Sequence, residues 1–320
     1  MPMTPLPSLR QLRYLVELAE RLNFRAAAEA CFVTQSTLSA GLKELESALG
    51  VQLVERSTRT VRLTAAGEEI VRRARALIAE AEDLVSAARS QREPMSGRMR
   101  LGVIPTIAPF VLPRILPTLR KRYPKLRLHL REDLTDRLLE RLRAGTLDFA
   151  LIALPYDTGD LTLRPLFKDE FWFVALADDA MAKSKAVRVE SLDVRDIVLL
   201  EEGHCLREHA LEACGRQDRR PESAVEATSL PTLLQMVEGG LGVTLLPEIA
   251  LKAGILNGTQ LVARPFSRGT PSRTLALAAR PTSGRVVELD VLAGVIEQCA
   301  APKVPAPHRA VQGAKQRGRG

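Results

Sequence analysis

The spacing of apolar residues changes once along this chain, at EPMSG (93–97). Before that point apolar side chains recur every three or four positions, apart from one short alternating stretch. After it, short apolar runs alternate with amphipathic helical segments. A chain patterned in this way requires a helical N-terminal module followed by an α/β module.

The N-terminal module reads as three helices and a wing. SLRQLRYLVELAERLNF carries Leu9, Leu12, Val16 and Ala19 on one stripe, widened by Leu15, Leu18 and Leu22, with Ser8 as N-cap. FRAAAEAC is a second helix bounded by Asn23, FVT is a tight turn, and QSTLSAGLKELESALG is a third helix capped by Thr34. Leu38, Leu42 and Leu45 should face inward, leaving Ser36, Ser39 and Lys43 outside and Gln35 and Thr37 at the free N-terminus. Two short helices and a turn, with a polar first half to the second helix, suit insertion into a DNA major groove. VERSTRTVRLT alternates as a small β-wing and offers Arg56, Arg59 and Arg62 to phosphates. The helix that follows places Ile70, Ala74, Leu77, Ala81, Leu84 and Ala88 on a heptad seam suited to a second chain.

Net charge does not carry the nucleic-acid reading. The formal charge is +8, but residues 1–92 hold 13 basic against 11 acidic side chains and residues 93–302 hold 28 against 27. Five basic residues with no acid sit in the Pro- and Gly-rich stretch 303–320, which reads as a disordered tail. No apolar run approaches the roughly 20 residues of a membrane span, and MPMTPLPSLRQLRYL lacks the apolar core of a secretory signal. The expected location is the cytoplasm, with no membrane partner.

In the α/β module, MRLGVI, LRLHL and FALIA are strands separated by the helices FVLPRILPTLRKRYP and LTDRLLERLRAG. The order βαβαβ predicts a parallel sheet. DEFWFVALA, DIVLL, VEATSLPTLLQMVEGGLGVTLLP, RTLALAARP and a last helix over Val286–Gln298 continue the theme. About two hundred residues of this kind make two subdomains with a cleft between them. No phosphate loop, HExxH or GxSxG pattern appears.

EEGHCLREHALEACG (201–215) holds Cys205 and Cys214. Nine residues of helix rise about 13.5 Å and turn the two side chains to opposite faces, whereas a disulfide needs Cα atoms within about 7 Å. The spacing leaves three readings open: two inert thiols, a metal site using Cys205 and His209 at i, i+4 with His204 or Cys214, or a pair that meets only when the helix comes apart. Cys31 and Cys299 read as small core residues.

The segment RQLRYLVELAERLNFRAAAEACFVTQSTLSAGLKELESALGVQLVERSTRTVRLTAAG closely resembles the DNA-binding domain of LysR-type transcriptional regulators, and the resemblance runs on to about residue 300. It implies a winged helix-turn-helix over 1–64, a linker and dimerisation helix over 65–92, and a periplasmic-binding-protein-like effector domain over 97–302. It also implies homodimers and homotetramers on double-stranded promoter DNA, contact with RNA polymerase, no enzymatic activity, and no metal or cofactor. IPTIAPFVLP, LLEEGHCLREHALEACG and EATSLPTLLQMV are similar to the peroxide-sensing members of that family, which activate antioxidant genes. That likeness implies that hydrogen peroxide oxidises Cys205 to a sulfenic acid and that Cys214 resolves it as a disulfide. It further implies that Thr106, Thr135 and His204 hold the peroxide and that Arg273 lies over the site. A histidine that some relatives carry near ATSL is replaced around Ala224.

The residues support such chemistry on their own terms. Gly203 should set Cys205 in the first turn of a helix, where the dipole, His204 and Arg207 lower the thiol pKa. The alternative within regulators is a small-molecule anion bound in the effector cleft near Thr106 and Ser229.

Overall fold

The structure, a computed structural model, describes residues 6–56, 61–90, 93–193, 196–213 and 226–301. Its first three helices are α1 (Leu9–Arg21), α2 (Phe24–Ala30) and α3 (Gln35–Leu49). Each starts where a side-chain oxygen takes up a free backbone N–H. Ser8 forms a reciprocal capping box with Gln11, Asn23 accepts from the Ala26 N–H, and Thr34 accepts from the Thr37 N–H. Leu12, Leu15, Leu18, Leu38, Leu42 and Leu45 close into one core with Ala27 and Ala28. That burial leaves Gln35, Ser36, Thr37 and Lys43 exposed and Ser39 half-buried. The wing is an antiparallel pair, β1 (Val54–Arg56) and β2 (Val61–Leu63), in which exposed Arg62 stands opposite Glu55. Arg59 lies outside the described residues, as does the 303–320 stretch.

The linker helix α4 (Ala65–Ser90) uses its apolar seam in two ways. Val71 and Ala74 are buried and Ile70 packs with them against the core of the helix-turn-helix. Leu77 and Leu84 are exposed, 53% and 73%, together with Val85. The first turns of the expected seam are therefore used within the chain, and only the later turns leave an apolar face uncovered. Further along, Ala79 is buried against Gly145 of the effector domain.

The effector domain begins with β3 (Gly97–Val103), α5 (Ala108–Arg122), β4 (Leu126–Glu132), α6 (Thr135–Arg143) and β5 (Phe149–Leu154). Strands β4, β3 and β5 are parallel, as expected. The rest of the sheet is not. A long strand, β6 (Thr162–Leu176), runs antiparallel to its neighbours. Its first part pairs with β11 (Ser272–Ala279), which also pairs antiparallel with β5. Its second part pairs with β9 (Thr244–Pro247) and β10 (Leu261–Arg264). One strand thus belongs to both subdomains, and the sheet is mixed. The second subdomain adds β7 (Leu199–Leu200), α7 (Cys205–Ala213), β8 (Glu226–Ala227), α8 (Leu230–Glu238) and α9 (Glu248–Lys252). The terminal helix α10 (Val286–Ala300) returns to pack on α5. No described helix is long and apolar enough to cross a membrane.

Candidate functional site

The site forms where β6 passes from one subdomain to the other. The β6·β11 register sets Asp169 directly opposite Arg273, so the two side chains share a face of the sheet. Both are buried. Arg273 Nε donates to Asp169 Oδ2 at 3.0 Å, and the other carboxylate oxygen accepts the Ile249 N–H at 3.0 Å. The remaining guanidinium edge turns to the β3–α5 connection. Nη1 donates to Thr106 Oγ1 at 2.8 Å and Nη2 to the Thr106 carbonyl at 3.1 Å. Because Thr106 accepts from a cation, its own hydroxyl proton is free to point elsewhere. Burial pushes the Asp169 carboxyl up despite the arginine, the Ile249 N–H and the short distances.

Cys205 opens α7 on the other wall. Gly203 supplies the turn before it at φ +93°, a conformation that L side chains rarely adopt, and a Cβ there would press on Leu134 at 3.0 Å. The thiol is buried, 4% exposed. Burial pushes its pKa up. The Arg273 charge, the Thr135 hydroxyl and the N–H groups of Cys205 and Leu206 at the helix start work against that rise without overcoming it. The expectation of a lowered pKa is therefore corrected: the helix terminus acts as supposed, but desolvation is larger. Thr135, at the start of α6, has a buried hydroxyl with no well-aligned hydrogen-bond partner, yet it lies close enough to stabilise the Cys205 thiolate.

Two nearby cations expected to assist the thiol do something else. Arg207 is buried and donates from Nη1 to the Leu200 carbonyl at 2.9 Å and to Glu226 at 2.7 Å, tying α7 to the β7·β8 pair. His204 is buried, and desolvation lowers its pKa although Glu201 stands 3.8 Å away. It is neutral near pH 7 and brings a ring rather than a charge.

The structure therefore gathers Thr106, Thr135, Cys205 and Arg273 around one buried region, from β3–α5, α6, α7 and β11, while His204 precedes α7 with its ring 3.8 Å from Glu201. Cys214 lies outside the described residues. The helix is continuous over Cys205–Ala213, which spans about 12 Å of rise. Among the described residues no three His, Cys, Asp or Glu side chains converge as metal ligands; His209 instead donates from Nε2 to the Pro155 carbonyl at 3.0 Å. Sequence reasoning missed Asp169, which stands between Lys168 and Glu170 and gives no local signal of burial, and Tyr156, whose hydroxyl donates to Asp136 at 2.7 Å. Cys31 and Cys299 are half-buried and pack at the edges of the two cores.

A helix-turn-helix with a wing, a long linker helix and a two-subdomain α/β module define a class of one-component transcriptional regulators. Residues 9–68 match the family model for the bacterial regulatory helix-turn-helix protein, lysR family, and residues 92–298 match the LysR substrate binding domain. The chain belongs to the LysR family. It is 45% identical to the HTH-type transcriptional regulator EstR of Acinetobacter baylyi, covering 93% of this chain and 99% of that one. It is 40% identical to the "Probable hydrogen peroxide-inducible genes activator" of Streptomyces viridosporus, covering 91% of this chain and 94% of the relative. Among solved structures, a full-length OxyR variant from Pseudomonas aeruginosa superimposes with a TM-score of 0.77 at 37% identity, covering 92% of this chain and 99% of that one.

Proposed function

We propose that the chain is a cytoplasmic, peroxide-responsive transcriptional activator in which Cys205 is the sensing thiol and Cys214 the resolving one. The observation that carries this reading is a buried thiol at a helix start, reached by the field of a fully buried arginine and faced by a threonine hydroxyl that has no other partner. Two threonine hydroxyls and a cation beside a thiol suit a molecule with the two hydroxyls of hydrogen peroxide. Thr106 and Thr135 hold its oxygens, and Arg273 stabilises the sulfur as it becomes anionic. The sulfur attacks one peroxide oxygen and the O–O bond breaks. The thiol proton leaves with the departing hydroxide as water, and a sulfenic acid remains. Attack by the Cys214 thiol then forms the disulfide and releases a second water. Because α7 holds its two ends apart, closing that bond dismantles the helix. The movement passes through the subunit interface and the linker helices of a tetramer to the DNA-binding pairs.

On DNA, Gln35, Ser36, Thr37, Ser39 and Lys43 face the groove, and Arg56, Arg59 and Arg62 meet phosphates; RNA polymerase is the partner of the activated form. The alternative, a small anion held by Thr106 and Ser229, is less well supported, since the Ser229 hydroxyl is already engaged at the start of α8, accepting from the Thr232 N–H at 3.3 Å and lying 3.0 Å from the Thr232 hydroxyl. Mass spectrometry of peroxide-treated protein should find a 205–214 crosslink. A footprint that shifts with a metabolite and ignores peroxide would favour the alternative.

A further inference from the structure

His209 stands one turn after Cys205, inside the segment that disulfide formation dismantles, and no step of the peroxide reaction uses it. Its ring is buried, 5% exposed. The Nε2–H donates to the Pro155 carbonyl at 3.0 Å, while Nδ1 is buried with no hydrogen-bond partner. A proton on Nδ1 would therefore be a buried donor without an acceptor, which is costly. The surroundings also oppose a charge. From β6 comes the Phe171 ring, with centroids 6.4 Å apart. From β11 comes the Arg273 cation, whose counter-ion Asp169 is already engaged by Arg273 and the Ile249 N–H. From the loop after β5 come the Pro155 carbonyl and Tyr156, whose phenol is bound to Asp136. From α7 itself comes Glu212, an exposed carboxylate and a favourable influence too weak to offset burial. The ring is held neutral, its pKa below the ordinary 6.5.

We propose that His209 is a positioning residue of the redox reaction: neutral, it docks α7 against Pro155 in the reduced protein, and when Cys205 and Cys214 join it leaves its niche and binds a proton. The proposal rests on the disulfide reading above, because only that reaction withdraws α7. Its chemistry balances against glutathione. One protein disulfide and two glutathione thiols give two protein thiols and one glutathione disulfide, so thiol exchange alone takes up and releases no proton. With His209 included, reduction also releases one proton, from the imidazolium to water, as the ring returns to its niche. The proton is bound in the oxidised form only, so acid favours that form. The effect operates below about pH 6.5, ends at the depressed value of the reduced state, and is absent above that window.

Equilibration of the full-length protein in buffers of fixed reduced and oxidised glutathione, from pH 5 to 7.5, tests this. Acid quenching and mass spectrometry would quantify the 205–214 crosslink. In the wild type the ratio of oxidised to reduced protein is expected to rise as pH falls below about 6.5, by up to tenfold per unit. His209→Gln keeps an amide N–H for Pro155 but cannot titrate, and should give a shallower pH dependence, leaving only what buried His204 contributes. A crosslink whose pH dependence is unchanged in His209→Gln overturns the proposal alone. A crosslink that forms at no pH overturns the disulfide reading along with it. If the variant does not fold, NMR titration of carbon-13-labelled histidines in the wild type decides. A His209 resonance that titrates near 6.5 only after oxidation supports the proposal, and identical titration in both states refutes it.

Discussion

The two subdomains of the effector domain are held together by different means. In the first, β3 and β4 pair along their full length, Gly97–Val103 against Leu126–Glu132, and β5 lies between β3 and β11. In the second, β9 and β10 join β6 through ladders of four residues each, but beside the thiol β7 and β8 pair only Leu199 with Glu226 and Leu200 with Ala227, and α7 is held by the packing of Leu206 and Ala210 and by the Arg207 and His209 hydrogen bonds. Backbone ladders are regular and cooperative, whereas a few side-chain ties can be released one at a time. The thiol proposed to sense peroxide sits on the side that is cheap to open, and the arginine near it sits on the side that is not. A switch built in this way changes shape without losing its frame.

This comparison can be broken in several places. The largest expected effect is functional: Cys205→Ser should keep DNA binding and lose the peroxide-induced footprint change entirely. A footprint that still moves would mean that α7 is not the moving part. Next is Arg273→Ala, which strands the buried Asp169 carboxylate in the rigid half and should cost about 3–5 kcal/mol of global stability in urea unfolding. A smaller loss would show that the frame does not depend on this pair. Arg207→Gln should act locally. Losing a buried cationic tie of about 1.5–3 kcal/mol should speed amide exchange along α7 by roughly tenfold to a hundredfold, with little change in the global unfolding midpoint. If the midpoint falls in step, the two halves are one cooperative unit. The smallest effect is at Thr34→Ala, which removes the α3 cap and should destabilise the helix-turn-helix by about 1 kcal/mol while leaving the rate of Cys205 oxidation unchanged.

Local elements were well marked in the sequence, because caps and leucine stripes are local physics. Ser8, Asn23 and Thr34 cap the helices they precede, and Leu38, Leu42 and Leu45 are buried. Helix α5 was readable even through Pro113 and Pro117, since Phe110, Val111, Ile115 and Leu119 bury enough surface to outweigh two missing donors. The first part of β6 was not readable. TLRPLFK looks like a loop, and it joins the sheet with a register shift at Leu275/Ala276, which lets Pro165 sit opposite Ala276. Strand direction beyond β5 was invisible for a related reason: apolar runs mark strands without naming their partners.

The site divides along the same line. Gly203 and the helix start at Cys205 were visible, being neighbours in the chain. Thr106, Thr135 and Arg273 were singled out only through family resemblance, and Asp169 not at all, because its importance comes from standing across from Arg273 in a strand pairing. Arg207 was misplaced for an instructive reason. Spacing puts it near Cys205 along the chain, but only the fold says that it reaches for Leu200 and Glu226. The thiol pKa followed suit, since a helix terminus is written in sequence and desolvation is not.

The contact of the linker helix with the effector domain has a mechanical corollary. At Gly145, φ +69°, any added methyl would overlap the Ala79 side chain of α4, so the two bodies meet there with almost nothing to interlock. Glu80 to Thr282 at 2.6 Å and Glu82 to Arg100 at 3.6 Å flank that spot with polar ties that water can replace. A smooth bearing edged by exchangeable links resists separation far more than it resists swivelling. Under the proposed mechanism, torque from the effector domain would turn the helix about this point while leaving it seated.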